Sequence, residues 1–334
     1  MAKLRYSLVA AVTAAGLALT ACSSEESSST ADSAASDSTS TVTIEDNFGT
    51  QEVALPIERV AATDNRSFQI LADWGIDLVA APNTLVPSTV TEYKDNPDIV
   101  DLGSHNEPDL EALTAAEPDL VVNGQRFSQY YEDISTLNPD AAIVELEPRD
   151  GEPLDDELKR QVTELGILFE KEAEAEAIIE DFDAAVARAQ AAYDPEQTVM
   201  AVNVSGGEIG YIAPSVGRTF GPIFDMLDLT PALEVDGASD DHQGDDISVE
   251  AIASANPDWM LVLDRDAGIS SLREADEFQP AAGVLEGADA LDNVTAVVDG
   301  QIVYAPEDTY LNESILTYTE ILNEMADAFE AAQQ

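Results

Sequence analysis

From about Val42 onward, short apolar runs rich in β-branched residues alternate with stretches whose apolar residues recur at helical spacing. The runs predict strands at Arg59–Thr63, Leu78–Pro82, Val100–Gly103, Asp119–Asn123 and Ala141–Leu146. Ser67–Gly75 and Asp109–Glu117 read as amphipathic helices between them. The second half repeats the alternation, with strands predicted at Thr198–Val204, Trp259–Asp264, Thr295–Val298 and Gln301–Tyr304 and a C-terminal helix from Glu313 to about Ala331. Such alternation implies an α/β fold with mainly parallel sheets and helices on both faces.

Between the halves lies a segment rich in Ala, Glu and Leu, with no proline from Leu154 until Pro195. Gly166 marks the expected end of a first helix. From Lys171 to Tyr193, Ala175, Ile178, Ile179, Phe182 and Val186 fall on one helical face. A helix of that length is roughly 35 Å long at 1.5 Å per residue. It reads as another surface helix or as a strut joining two lobes, and its place between two copies of a repeat favours the strut. The expected organisation is an N-terminal lobe over residues 42–170, a bridging helix over 171–193 and a C-terminal lobe over 194–334.

The repeat is carried by DLEALTAAEPDLVVNGQR, Asp109 to Arg126, and SVEAIASANPDWMLVLDR, Ser248 to Arg265, at a constant offset of 139 residues. Each copy reads as a helix ending near Pro–Asp, then a buried strand, then arginine. In open parallel sheets, ligands bind beyond the carboxyl ends of the strands. Two such lobes facing each other place Arg126 and Arg265 at the rims of a shared cleft, a common setting for a ligand. Phe127 and Tyr130 follow Arg126; Arg218 lies in a Gly-bearing loop; His242 precedes the second copy; Tyr310 follows the last strand. Arg66 is a weaker cleft candidate, and His105 belongs to a loop that borders the same region.

Charge narrows the partner. The 334 residues carry 67 acidic against 14 basic side chains, a formal charge of −53. That excess excludes a nucleic-acid partner, whose affinity comes from Lys and Arg neutralising phosphates. It reads as a solvating shell suited to salty surroundings. The hydrophobic share of 45% is that of a globular chain. No phosphate-binding loop, nucleophile elbow or zinc-binding HExxH helix is present, and two histidines leave little acid–base chemistry, so an enzyme is not expected. Paired carboxylates of a secreted hydrolase remain an alternative by composition alone. The same two histidines, His105 and His242, argue against a site for free zinc or manganese.

The N-terminus reads as a secretory signal over residues 1–21: Lys3 and Arg5, an apolar run from Leu8 to Leu19, then small residues. The only cysteine, Cys22, closes the quartet Leu19-Thr20-Ala21-Cys22, which resembles a bacterial lipobox with Cys22 lipidated; a secreted chain with an incidental thiol is the alternative. Residues 22–41 carry almost no large apolar side chain and read as a flexible tether. These features predict a protein anchored by lipid to the outer face of a cytoplasmic membrane.

With the lipobox, the tether, the paired units around a linking helix, the three arginines and the DHQG stretch around His242, the chain resembles periplasmic-binding-protein-like lipoproteins of ABC importers, and among them the iron–siderophore binding proteins. The resemblance spans essentially the whole mature chain. It implies two α/β lobes bridged by one long helix, acting as a monomer. It also implies an arginine cluster, here Arg126, Arg218 and Arg265, that holds an anionic ferric chelate. His242 and Tyr310 become candidate ligands to iron that the siderophore leaves incompletely coordinated. No cofactor of the protein's own is implied, since the iron travels within the ligand. Glu111 and Glu250, equivalent in the repeat, look like the residues that dock on a permease dimer driven by its ATPase. Carboxylates placed to suit a helix dipole are the plainer reading of both. Haem or a cobalamin is the alternative cargo. The acidic loop Asp240, Asp241, Asp245 and Asp246 around His242 departs from the family pattern and works against an anionic ligand.

Overall fold

The computed structural model describes residues 40–334. The signal segment at residues 1–21, Cys22 and nearly all of the tether lie outside the described residues. The chain opens on an antiparallel hairpin, Ser40–Asp46 with Gly49–Leu55, so the last two residues assigned to the tether belong to a strand. Its signal is alternation: Ile44 and Val53 are buried while Thr43, Glu45, Glu52 and Ala54 face outward. This hairpin was not among the predicted strands.

Five parallel strands follow, in the order Val100–Asp101, Leu78–Ala81, Val60–Ala62, Leu120–Asn123 and Ala142–Glu145. Each lies within a predicted run. The two innermost strands of the order are buried throughout, as parallel strands covered on both faces must be.

The second sheet is mixed. Thr198–Ser205 pairs in parallel with Trp259–Asp264, which pairs in parallel with Ile302–Tyr304. On its other side Glu208–Ile212 runs antiparallel and carries the short strand Asp245–Asp246. The antiparallel arm turns on Gly206 and Gly207, with φ of 60° and 77°. A two-residue hairpin turn of this hand needs positive φ at its centre, which glycine adopts without strain. The run Ser205-Gly206-Gly207-Glu208 is therefore the sequence signal for a strand that the periodicity reading passed over.

Two other expectations are corrected. Thr295–Val298 is not a strand but part of the helix Thr295–Asp299, closed by Gly300 at φ 70°. A four-residue apolar run fits either period, and here the glycine cap decides. The helix Leu154–Leu168 runs through Gly166 rather than ending there. A Cβ at Gly166 would stand 2.7 Å from the Cβ of Ala175, so glycine lets this helix close on the next one instead of terminating it.

That next helix, Glu172–Ala192, matches the expected bridge, with Lys171 and Tyr193 as its caps. It buries Phe182, Ala185 and Ala189. The C-terminal helix Ile315–Ala332 contributes Ile321, Leu322, Met325 and Phe329 to the same core. Phe329 meets Trp259 edge-on with ring centroids 4.7 Å apart, which ties this helix to the second sheet. The described residues, 40–334, form one compact unit.

The repeat is physical. Both helices are capped by side chains: Asp109 accepts from the Ala112 amide at 2.8 Å, and Ser248 from the Ala251 amide at 3.2 Å. Both end on a left-handed residue before the Pro–Asp pair, Glu117 at φ 47° and Asn256 at φ 49°. The aspartates then play one role twice. Asp119 accepts from the amides of Glu58 and Arg59 at 2.8 and 3.0 Å, and Asp258 accepts from the Thr198 amide at 2.7 Å. Each carboxylate pins the start of the neighbouring parallel strand.

At the same offset of 139, Asp64 falls on Asn203, and both are buried. Burial pushes the Asp64 carboxyl up to about 7, with Arg66 offsetting only part of the cost. Glu145, in the same patch, is likewise pushed to about 7 by burial. A folded-state value above the unfolded one means stability that is full below about pH 4 and lost as pH rises toward about 7. Asp64→Asn, the choice of the second copy, is therefore expected to stabilise the fold by about 2–4 kcal/mol at about pH 8. The gain should vanish near about pH 4. Thermal melts at the two pH values check this, and an equal shift at both would remove titration as the cause.

Candidate ligand-binding site

The site is organised by a segment that the sequence places late and the fold places early. After the strand Ile302–Tyr304, the chain crosses to the first sheet. Asn65 donates to the Leu311 carbonyl at 3.0 Å, Asn312 donates to Gln69 at 2.6 Å, and the Thr89 hydroxyl donates to Asp308. Tyr310 and Leu311 share an apolar cluster with Ala61, Leu102, Leu113 and Val121 of the first half. Tyr310 is 5% exposed. A Cβ at Gly268 would lie 3.0 Å from the Tyr310 Cβ, so the turn after the second repeat strand rests directly on this residue.

Around the Tyr310 ring the three predicted arginines converge. The guanidinium carbons of Arg126, Arg218 and Arg265 lie 5.2, 4.7 and 4.8 Å from its centroid. Arg126 comes from the short 3-10 helix Gln125–Tyr130 just beyond the strand Leu120–Asn123. Arg265 opens the short helix Arg265–Gly268, for which the Asp264 carboxylate accepts from the Ala267 amide at 3.1 Å. Arg218 stands in the loop before the helix Gly221–Leu227. That loop is drawn tight at Gly217, where a Cβ would meet the Ala213 amide nitrogen at 2.6 Å. Strand ends of both sheets thus point cations at one aromatic ring.

The three cations are not equivalent. Arg218 donates to Glu313 through Nε at 3.1 and 3.2 Å and through Nη2 at 2.5 Å, and the Thr219 hydroxyl adds a bond of 2.6 Å to the same carboxylate. Arg66 Nη2 lies 4.0 Å from Glu313, and its Nη1 lies 3.4 Å from Glu147. Glu313 is fully enclosed. Burial works to raise its pKa, but Arg218 and Arg66 outweigh it and hold the carboxyl at about 2. Arg265 donates through Nη1 to Asp266 at 3.1 Å and to Ser205 at 3.3 Å. Among the described residues, Arg126 has no carboxylate at contact distance, and both of its Nη atoms are buried with no partner in hydrogen-bond geometry, although the Tyr310 phenol and, farther off, Glu313 attract it. Burial and the nearby Arg218 both lower its pKa. Burial raises the Tyr310 phenol, yet Arg218, Arg126 and Arg265 together bring it below its ordinary value.

The remaining candidates divide. Phe127 is completely buried beneath the first sheet and is not available to stack on a ligand, which corrects that expectation. Successive side chains on this 3-10 helix diverge by about 120°, so Phe127 turns into the core while Arg126 reaches Tyr310. Tyr130 is half-buried, meets Phe127 edge-on, and donates its hydroxyl to the His105 carbonyl at 2.6 Å. Arg66 joins the cluster through Glu313 rather than through Tyr310. His242 is exposed, with Nδ1 4.0 Å from Asp241. Its carbonyl accepts from Asn203, but no hydrogen bond or ion pair joins its imidazole to the arginines. Glu111 and Glu250 are exposed in the first turns of the two repeat helices.

Sequence reasoning missed the carboxylates. Glu313 read as the start of the last helix, whereas Ser314 is the cap, accepting from the Thr317 amide at 3.3 Å, and Glu313 is free to turn inward. Asp266 carried no signal beyond adjacency to Arg265. His105 lies close enough to Arg126 that burial, then that cation, lowers its pKa. Among the described residues, no group of three or more His, Cys, Asp or Glu is placed to hold a metal ion, and no helix is long and apolar enough to cross a membrane.

The chain is 28% identical over 283 residues to the ferric-anguibactin-binding protein FatB of Vibrio anguillarum, covering 84% of this chain and 85% of the relative. It is 26% identical to the petrobactin-binding protein YclQ of Bacillus subtilis, covering 99% and 100%. Among solved structures, the periplasmic catecholate-siderophore binding protein VctP of Vibrio cholerae matches with a TM-score of 0.72 at 26% identity, covering 87% of this chain and all of that one. The crystal structure of YclQ matches with a TM-score of 0.70 at 23% identity, covering 87% and 99%, a likeness of fold. The periplasmic binding protein family model matches residues 60–309, from the first central strand to the residue before Tyr310. The chain belongs to the periplasmic binding protein family, in the form with two α/β lobes bridged by a long helix.

Proposed function

We propose that this protein captures an anionic ferric siderophore between its lobes and delivers it, as a lipid-anchored extracytoplasmic receptor, to an ABC permease. The observation that carries the reading is the convergence of Arg126 from one half with Arg218 and Arg265 from the other on the Tyr310 ring. Guanidinium groups stay charged at any physiological pH and present several donors in one plane, which suits the oxygen rim of an anionic chelate. Support comes from FatB and YclQ, whose names state ferric-anguibactin and petrobactin binding. Tyr310 is the better placed of the two candidate iron ligands, because its phenol is already acidified by three cations. His242 would have to come in with its loop.

Tryptophan fluorescence tests the reading, since Trp74 and Trp259 are the only tryptophans. Titration with ferric catecholate, hydroxamate and citrate chelates should give quenching with submicromolar affinity for at least one class. No quenching by any of them would overturn the proposal. The exposed Glu111 and Glu250 stand at equivalent positions of the two lobes, as contact with a two-fold symmetric permease requires. Reversing both to arginine should stop uptake in cells while chelate affinity stays at the wild-type value. Undiminished uptake would reject the docking role.

A further inference from the structure

The charge of the site is smaller than its arginine count suggests. Three guanidinium cations surround Tyr310, but two of them are matched one to one by carboxylates at contact distance. Arg218 is matched by Glu313 at 2.5 Å and Arg265 by Asp266 at 3.1 Å. Arg66 enters with its own partner, Glu147 at 3.4 Å, and leaves the balance unchanged. Among the cations that meet at Tyr310, one is left with no carboxylate at contact distance, Arg126. Ionisation of Tyr310 would only lower the total, and His105 is biased to its neutral form by burial and Arg126. Every member of this set is largely enclosed, so the charges act with little solvent screening. Beyond it lies a body of formal charge −53, which repels surplus negative charge on any ligand.

Resting on the ferric-chelate reading above, we infer that the site selects a chelate carrying about one net negative charge, and that Glu313 and Asp266 set this limit by cancelling two of the three cleft arginines. A ferric bis-catecholate, with four anionic oxygens on the iron, meets the requirement. It also leaves coordination positions open. A ferric tris-catecholate, with three net negative charges, brings two that the site does not neutralise. An uncharged ferric tris-hydroxamate leaves Arg126 buried without its counter-charge, which is costly in the opposite sense.

The test is a fluorescence titration of the full chain with three probes: a tetradentate ferric bis-catecholate, a hexadentate ferric tris-catecholate and a ferric tris-hydroxamate. The bis-catecholate is expected to bind at least about tenfold tighter than either of the others. Asp266→Asn and Glu313→Gln each free one more arginine, and each should move the ratio toward the tris-catecholate by about tenfold. Asp266 is the more accessible of the two and packs into no core, so its variant carries the test if Glu313→Gln folds poorly. Tighter binding of the tris-catecholate by the wild type, or an unchanged ratio in Asp266→Asn, would overturn the charge limit while leaving ferric-chelate binding intact. Binding of none of the three, nor of ferric citrate, would remove the ferric-chelate reading and this inference together.

Discussion

Arg126→Leu is expected to weaken ferric-chelate binding by about a hundredfold or more while the ligand-free protein melts no lower than wild type. Truncating one member of a buried, hydrogen-bonded charge pair costs about 2–5 kcal/mol of binding. Arg126 is the cation that such a pair would use, because Arg218 and Arg265 are already committed to Glu313 and Asp266. In the free protein the balance is opposite. Both Nη atoms of Arg126 are buried without partners, and a second cation stands beside it. A buried charge without a counter-charge destabilises the fold that holds it. The leucine therefore relieves a cost in the ligand-free state and removes a contact in the bound one. Titration and a thermal melt on the same preparation read both effects. Lost stability with retained affinity would make Arg126 part of the scaffold and not of the site.

Glu313→Ala acts on the fold. It strands Arg218 and leaves Arg66 with Glu147 alone, in surroundings where Glu313 itself is 2% exposed. Breaking a buried ion pair by removing one partner costs about 3–5 kcal/mol. The dependence on pH has a definite sign. The Glu313 carboxyl is held at about 2 against an ordinary 4.5, so its contribution is complete above the ordinary value and disappears as pH falls toward 2. Urea unfolding at neutral pH should show the full deficit of the variant, and the gap to wild type should narrow in acid. An unchanged midpoint at neutral pH would show that Arg218 finds another partner.

These two residues mark how far the chain can be read. The repeat with its Pro–Asp turns, the buried strands and the bridging helix were legible, because each rests on local periodicity and capping that a few neighbouring residues specify. Strand-end arginines were legible for the same reason: in a parallel sheet, the residue after the last buried position emerges at the carboxyl edge. The misses were those in which local pattern is degenerate. Thr295–Val298 fits a strand or a helix until Gly300 closes it, and Gly166 reads as a stop until Ala175 is seen packed against it.

The sequence by itself determined the architecture, the excess of acid and the three arginines that meet at Tyr310, since these follow from spacing and composition. Only the tertiary structure decided which arginine is free. Glu313 and Arg218 are 95 positions apart in the chain and in contact in the fold, and Tyr310 from the second half is packed into a core of the first half. Charge compensation depends on distance in space, and no periodicity along the chain encodes it. Arg126 and Arg218 are the same residue type; enclosure beside Glu313 makes one a part of the frame, while the other is enclosed with no such partner.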